Sequence, residues 1–157
     1  MGLVLLKVEA VAVDWKGSPV VVLREKGGQR AVFIWIGLAE ASAISWHLEG
    51  QKQPRPLTHD LIVLMLSELG AAVDRVVITD MRHTTYFADL IVTVGDRSIS
   101  LDCRPSDAIA VAVRVDAPLY IGEELLERLE KARQEEEVRT PQSSDFTIVD
   151  SDEPTVH

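Results

Sequence analysis

The run Asp102-Cys-Arg-Pro-Ser-Asp-Ala-Ile-Ala110 packs two acids, an arginine, a helix-starting proline and a hydroxyl into six residues. Arg104 can clamp a phosphate through parallel N–H groups, and carboxylates beside it can take a proton or hold a cation. An apolar strand leads in through Ile99 and Leu101, and an almost wholly apolar helix follows. Rigid elements at such a junction aim side chains well. The same residues also read as a plain helix start, with Ser106 capping it and Asp107 facing the helix dipole.

Arg55-Pro-Leu-Thr-His-Asp60 is a second candidate. Thr58 reads as the N-cap of a helix over 59–69, and a helix N-terminus beside Arg55 and His59 suits an anion. His59 is the histidine best placed for proton transfer near neutral pH. Glu40 and His47, seven apart on one helix face, read as a shared metal site or, more simply, as a solvated pair. Asp80 and Arg82 close a strand, where Asp80 is either a site residue or a turn cap. The chain carries no H-E-x-x-H, no Gly-rich phosphate loop and no G-x-S-x-G. Trp15, Trp35 and Trp46 are scattered and read as packing residues.

Hydrophobic periodicity supplies the elements that must position these groups. Residues 3–13, 20–25 and 31–36 have strand spacing, with a Lys26-Gly-Gly-Gln29 turn between the last two. Helices follow over 39–49 and 59–69, closed by Gly50 and Gly70. The six large apolar residues of the second helix imply that it is largely buried. Strands over 73–80, 86–94 and 97–102, a helix over 107–115, a short strand at 118–121 and a charged helix over 123–133 complete the pattern. Both halves read β-β-β-α-α, which predicts a compact α+β domain over 1–133 with an internal duplication. Residues 134–157 lack a core-forming period and read as a flexible acidic tail. Within it, Phe146-Thr-Ile-Val149 has the character of a strand that can dock, including on a partner's sheet edge.

Length and charge bound the function. A chain of 157 residues with 46% hydrophobic content is ordinary for one globular domain. The net charge is −9, shared between residues 1–127 (−5) and 128–157 (−4). This lacks the broad basic footprint of a nucleic-acid binder. The single Cys103 excludes an internal disulfide and fits a reducing cytosol. With no signal-peptide pattern and no long apolar run, a cytoplasmic protein without a membrane span is expected.

Several segments together resemble the bifunctional nuclease domain family of bacteria and plants. They are Trp35-Ile-Gly-Leu-Ala-Glu-Ala-Ser-Ala-Ile44, Arg55-Pro-Leu-Thr-His-Asp-Leu61, Asp80-Met-Arg82 with Tyr86-Phe-Ala-Asp-Leu90, Asp102–Ala110 and Ala117-Pro-Leu-Tyr120. The resemblance spans about residues 3–130. It implies a compact, duplicated α+β fold and hydrolysis of phosphodiester bonds in DNA and RNA. By position, it marks Glu40, Arg55, Thr58, His59, Asp60, Asp80, Arg82, Asp102, Arg104, Ser106, Asp107 and Arg114 as its polar motif residues.

The expected machinery follows. Glu40, His59, Asp60 and Asp107 form the catalytic set, with the carboxylates holding Mg²⁺ or Mn²⁺ and His59 acting as general base or acid. Arg55, Arg82 and Arg104, with Thr58 and Ser106, bind substrate phosphate. The competing expectation is a non-catalytic homo-oligomeric scaffold or regulatory module, in which arginine–aspartate pairs lock helix ends and apolar helix faces meet other subunits.

Overall fold

Alternating apolar and polar residues build β1 (Leu3–Val13), on which the sheet is assembled. The computed structural model describes residues 2–139 and 147–148. On one edge, β1 pairs antiparallel with β2 (Pro19–Glu25), which pairs antiparallel with β3 (Ala31–Trp35). Residues Pro19 to Leu23 are all buried, so this β-branched run is covered on both faces. A second meander joins β4 (Ala71–Arg82), β5 (Thr85–Val94) and β6 (Arg97–Cys103). β7 (Leu119–Gly122) lies between the meanders, antiparallel to β1 and parallel to β4, giving the order β3-β2-β1-β7-β4-β5-β6. The parallel pairing requires a crossover, and a helix supplies it.

That helix, α3 (Pro105–Val115), is the hub of the fold. Pro105 starts it at the position where a missing N–H costs nothing. It ends where Asp116 turns left-handed (φ 53°) and Pro118 follows. Ala108 through Ala112 are all buried. The three alanines in that run let α1 (Leu38–Leu48) and α2 (Thr58–Glu68) pack closely on one side, while β4 and β5 pack on the other. α4 (Glu123–Arg139) packs on β3, β4 and β7. Among the described residues no helix is long and apolar enough to cross a membrane.

The α+β class and the element order follow the sequence reading, with four physical differences. The halves share three strands and a helix, but the second half inserts β7 before α4, so β-β-β-α-α describes only the first. Helix α2 is not largely buried. Only His59 is buried in it, while Leu61, Leu64 and Met65 are about half exposed, and Leu69, just past its end, is more so. Leucine count cannot reveal which faces find neighbours. Helix α4 runs on to Arg139, six residues past the expected end, stapled by Arg133 to Glu130 and Glu137 at 2.7 Å each. Residues 134–139 are therefore helix. Of the strand expected at 146–149, β8 (Thr147–Ile148) pairs antiparallel with Val13 and Ala12 on the chain's own β1 edge. The rest of the expected tail lies outside the described residues.

Candidate active site

Three helices open in the same way. Leu38-Ala-Glu40, Thr58-His-Asp60 and Pro105-Ser-Asp107 each place an acid at the third helical position, where the dipole favours a carboxylate. No N-cap side chain bonds any of these ends. Thr58 is the first residue of α2 rather than its cap, because Leu57 takes that place and Asp60 Oδ2 accepts the Leu57 N–H at 2.9 Å. Ser106 likewise sits inside α3, buried, and caps nothing.

Packing against α3 brings the acids onto its arginines and onto His59. Arg104 immediately precedes α3. It donates from Nε to Asp107 Oδ2 at 2.9 Å and from Nη2 to Glu40 Oε1 at 2.8 Å. The other oxygen of Asp107, Oδ1, lies 2.9 Å from His59 Nε2. An ionised carboxylate only accepts, so Nε2 carries the proton in this pair. Glu40, Arg104, Asp107 and His59 thus form one continuous chain across the ends of three helices. Exposure peaks at Arg104, rising from 9% for the His59 side chain through 31% for Asp107 to 66%, and falls to 15% at Glu40. The two carboxylates raise the Arg104 pKa, Asp107 more than Glu40.

Glu40 reaches this position because residue 37 is glycine. A Cβ there would stand 2.3 Å from Glu40 Oε2, although the Gly37 backbone is itself ordinary and extended. This dependence is invisible in the sequence.

Asp60 does not join the chain, though it adjoins His59. Its Oδ1 accepts from Arg114 Nε at 2.7 Å, while Arg114 also donates to the Ala110 carbonyl at 2.7 Å. The Leu57 N–H, then Arg114, holds the Asp60 carboxyl below the ordinary aspartate range. Arg114 is nearly buried and pairs α3 to the start of α2. His47 does not meet Glu40's partners and instead lines the cleft beside Asp60.

Two clefts flank the cluster. One of about 810 Å³ is lined by Arg104, Ser106, Gly37, Leu38, Trp35 and Tyr86. Arg104 spends Nε and Nη2 on carboxylates, and Nη1 has no protein partner among the described residues. The other, about 440 Å³, holds Asp60, Arg114 and the exposed Arg55. Arg82 and Asp80 belong to neither. Asp80 is turned to Arg82 at 2.9 Å and Arg128 at 3.2 Å, and the Arg82 guanidinium lies 4.9 Å over the Phe87 ring. For Cys103, between Asp102 and Arg104, burial and nearby aspartates push the thiol up to about 11, which disfavours the thiolate.

The donor set does not fit a divalent ion as folded. Among the described residues no three His, Cys, Asp or Glu side chains are grouped to hold a metal. A guanidinium stands between Glu40 and Asp107 where a cation would sit, and Asp60 faces Arg114.

Comparison with known proteins settles the lineage. The bifunctional nuclease domain profile matches residues 21–134, which include every residue of the cluster. The chain belongs to the bifunctional nuclease domain family. An uncharacterised protein of Mycobacterium tuberculosis (strain ATCC 25618 / H37Rv) is 45% identical over 111 residues, 71% of this chain and 66% of that protein. "Bifunctional nuclease 1" of Arabidopsis thaliana is 32% identical over 116 residues, 71% of this chain and 36% of that protein. "Bifunctional nuclease 2" of the same plant is 39% identical over 74 residues, 45% of this chain and 22% of that protein. The chain thus spans just under two thirds of the mycobacterial relative and about a third or less of the plant ones.

Proposed function

We propose that this bifunctional nuclease domain hydrolyses phosphodiester bonds of nucleic acid where Arg104 lines the larger cleft, beside Asp107, in the cytoplasm. The observation that carries the reading is the Glu40–Arg104–Asp107–His59 chain, which fixes an exposed arginine with one donor edge free. Arg104 Nη1 binds a non-bridging phosphate oxygen and stabilises charge as it grows on phosphorus. A water attacks phosphorus and gives its proton to Asp107 or to the second oxygen of Glu40. The bond from phosphorus to the departing sugar oxygen breaks, and that oxygen takes a proton from solvent. His59 is too buried to touch substrate, so it acts as a positioning residue that orients Asp107. No step is routed through Mg²⁺ or Mn²⁺, for the reason of fit given above.

The test is an assay on single- and double-stranded DNA and RNA, in Mg²⁺, Mn²⁺ or EDTA. Wild type is compared with Glu40→Gln, His59→Gln and Asp107→Asn purified in parallel. Loss of about a hundredfold or more in each variant supports the reading. Wild-type rates in all three would mean that the activity is a contaminant or lies elsewhere.

A scaffold reading is favoured by one observation. Leu61, Leu64 and Met65 recur at helical spacing along α2, with Leu69 just past its end, and all are exposed, as a homo-oligomer interface would require. Light scattering settles it. An oligomer that Leu64→Glu dissociates, with no nuclease activity in wild type, would replace catalysis with assembly.

A further inference from the structure

The smaller cleft is a site that the mechanism leaves unused. It lies between the C-terminal end of α1, the loop 49–57 and the first turns of α2. Its walls include Trp46, Lys52, Pro54, Arg55, Asp60 and Arg114. Asp60 and Arg114 satisfy each other at 2.7 Å, so their charges cancel. Lys52 and Arg55 are exposed and have no acidic partner among the described residues. In a chain of net charge −9, this cleft brings two cations without an acidic partner together with a partly exposed tryptophan. Cations facing an aromatic surface suit a ligand that is anionic at one end and flat and apolar at the other. A nucleotide within a strand has that chemistry.

Placement limits what the cleft can do. Arg104 precedes α3 and Arg114 lies in its last turn, ten residues on, so their backbones are separated by about 15 Å of helix rise. A phosphate in the smaller cleft is therefore not the phosphate held by Arg104, but one a few nucleotides along the same chain. Stacking on Trp46 needs a base released from pairing, which a duplex does not offer. We infer that this cleft is a subsite for single-stranded nucleic acid, with a base against Trp46 and its phosphates on Lys52 and Arg55. The substrate class rests on the nuclease reading above. Trp46 was expected to be a packing residue, because nothing in its spacing shows that the 49–57 loop folds back beside it.

The inference is tested by binding alone, without turnover. Fluorescence anisotropy of a labelled single-stranded 12-mer and of its duplex is measured in EDTA with the full chain, across a salt series. Wild type is expected to bind the single strand at least tenfold tighter than the duplex. Lys52→Ala/Arg55→Ala, on an exposed loop, should weaken single-strand binding about tenfold or more. It should also lower the slope of log affinity against log salt by about 1.4, the value for two released counterions. Trp46→Leu should cost on the order of tenfold with the slope unchanged. Equal affinity for duplex and single strand, or an unchanged slope in the double variant, would overturn the subsite. A protein that binds in this way but cleaves nothing refutes the catalytic reading and leaves the subsite standing. Cleavage by wild type without the single-strand preference or the change in salt slope does the reverse.

Discussion

Asp107 Oδ1 lies 2.9 Å from His59 Nε2, joining the third residue of α3 to the second residue of α2 across 48 positions of sequence. His59 is the only buried residue of its helix, and its ring is held by a carboxylate whose other oxygen is on Arg104. The pair turns three helix ends into a single polar assembly, and several outcomes depend on it.

Gly37→Ala tests the dependence of Glu40 on its neighbour. The Gly37 backbone (φ −75°, ψ 161°) suits alanine, so stability should change by no more than about 1 kcal/mol. The new methyl would meet Glu40 Oε2 and push that carboxylate off Arg104. Nuclease kcat/KM should fall about tenfold while the melting temperature stays nearly constant. An unchanged kcat/KM would show that Glu40 need not hold Arg104.

Asp60→Asn tests the second ion pair through pH. The Asp60 carboxyl has a lowered pKa, owing first to the Leu57 N–H and then to Arg114. Such a group contributes stability that is fully present above its unfolded value, about 4, and lost as pH falls through the folded value. The variant leaves a nearly buried Arg114 short of a partner, though Asp60 itself is more than a third exposed. A cost of about 1–2 kcal/mol at pH 7 is expected, shrinking as pH falls below the unfolded value of about 4. Thermal melts from pH 2.5 to 7 check it. A gap that stays constant with pH would contradict the assignment.

Cys103 should resist alkylation. With its thiol pushed up to about 11, the thiolate fraction at pH 8 is on the order of a thousandth. Iodoacetamide should label the native chain at least a hundredfold more slowly than the urea-unfolded chain, and similar rates would show an accessible, ordinary thiol.

The sequence reveals strands better than it reveals contacts. The alternation of Leu3–Val13 and the glycine-marked turns delimit β1 to β6 closely, because pleat and turn chemistry are local. Glu40, His59, Arg104 and Asp107 are each visible as polar residues at helix starts, and the Arg104–Asp107 pair is an i,i+3 neighbour. What the sequence could not reveal is long-range. Glu40 joins Arg104 across 64 positions and Asp60 joins Arg114 across 54, so Asp60 leaves the expected carboxylate trio. Arg82 looked equivalent to Arg104, yet Asp80 and Phe87 claim it. The exposed face of α2 was hidden by composition alone, since its leucines are as apolar as those of a core helix.

The most direct measurement compares Arg104→Lys with wild type, pairing kcat/KM on a nucleic-acid substrate with the melting temperature. Lysine keeps the charge but lacks the fork that engages Asp107 and Glu40 while offering Nη1. A fall of about a hundredfold in kcat/KM, with melting shifted by only a few degrees, is the expected result. Full activity in Arg104→Lys would contradict the assignment of Arg104 as the phosphate-binding group and leave the cluster as a clamp between helices.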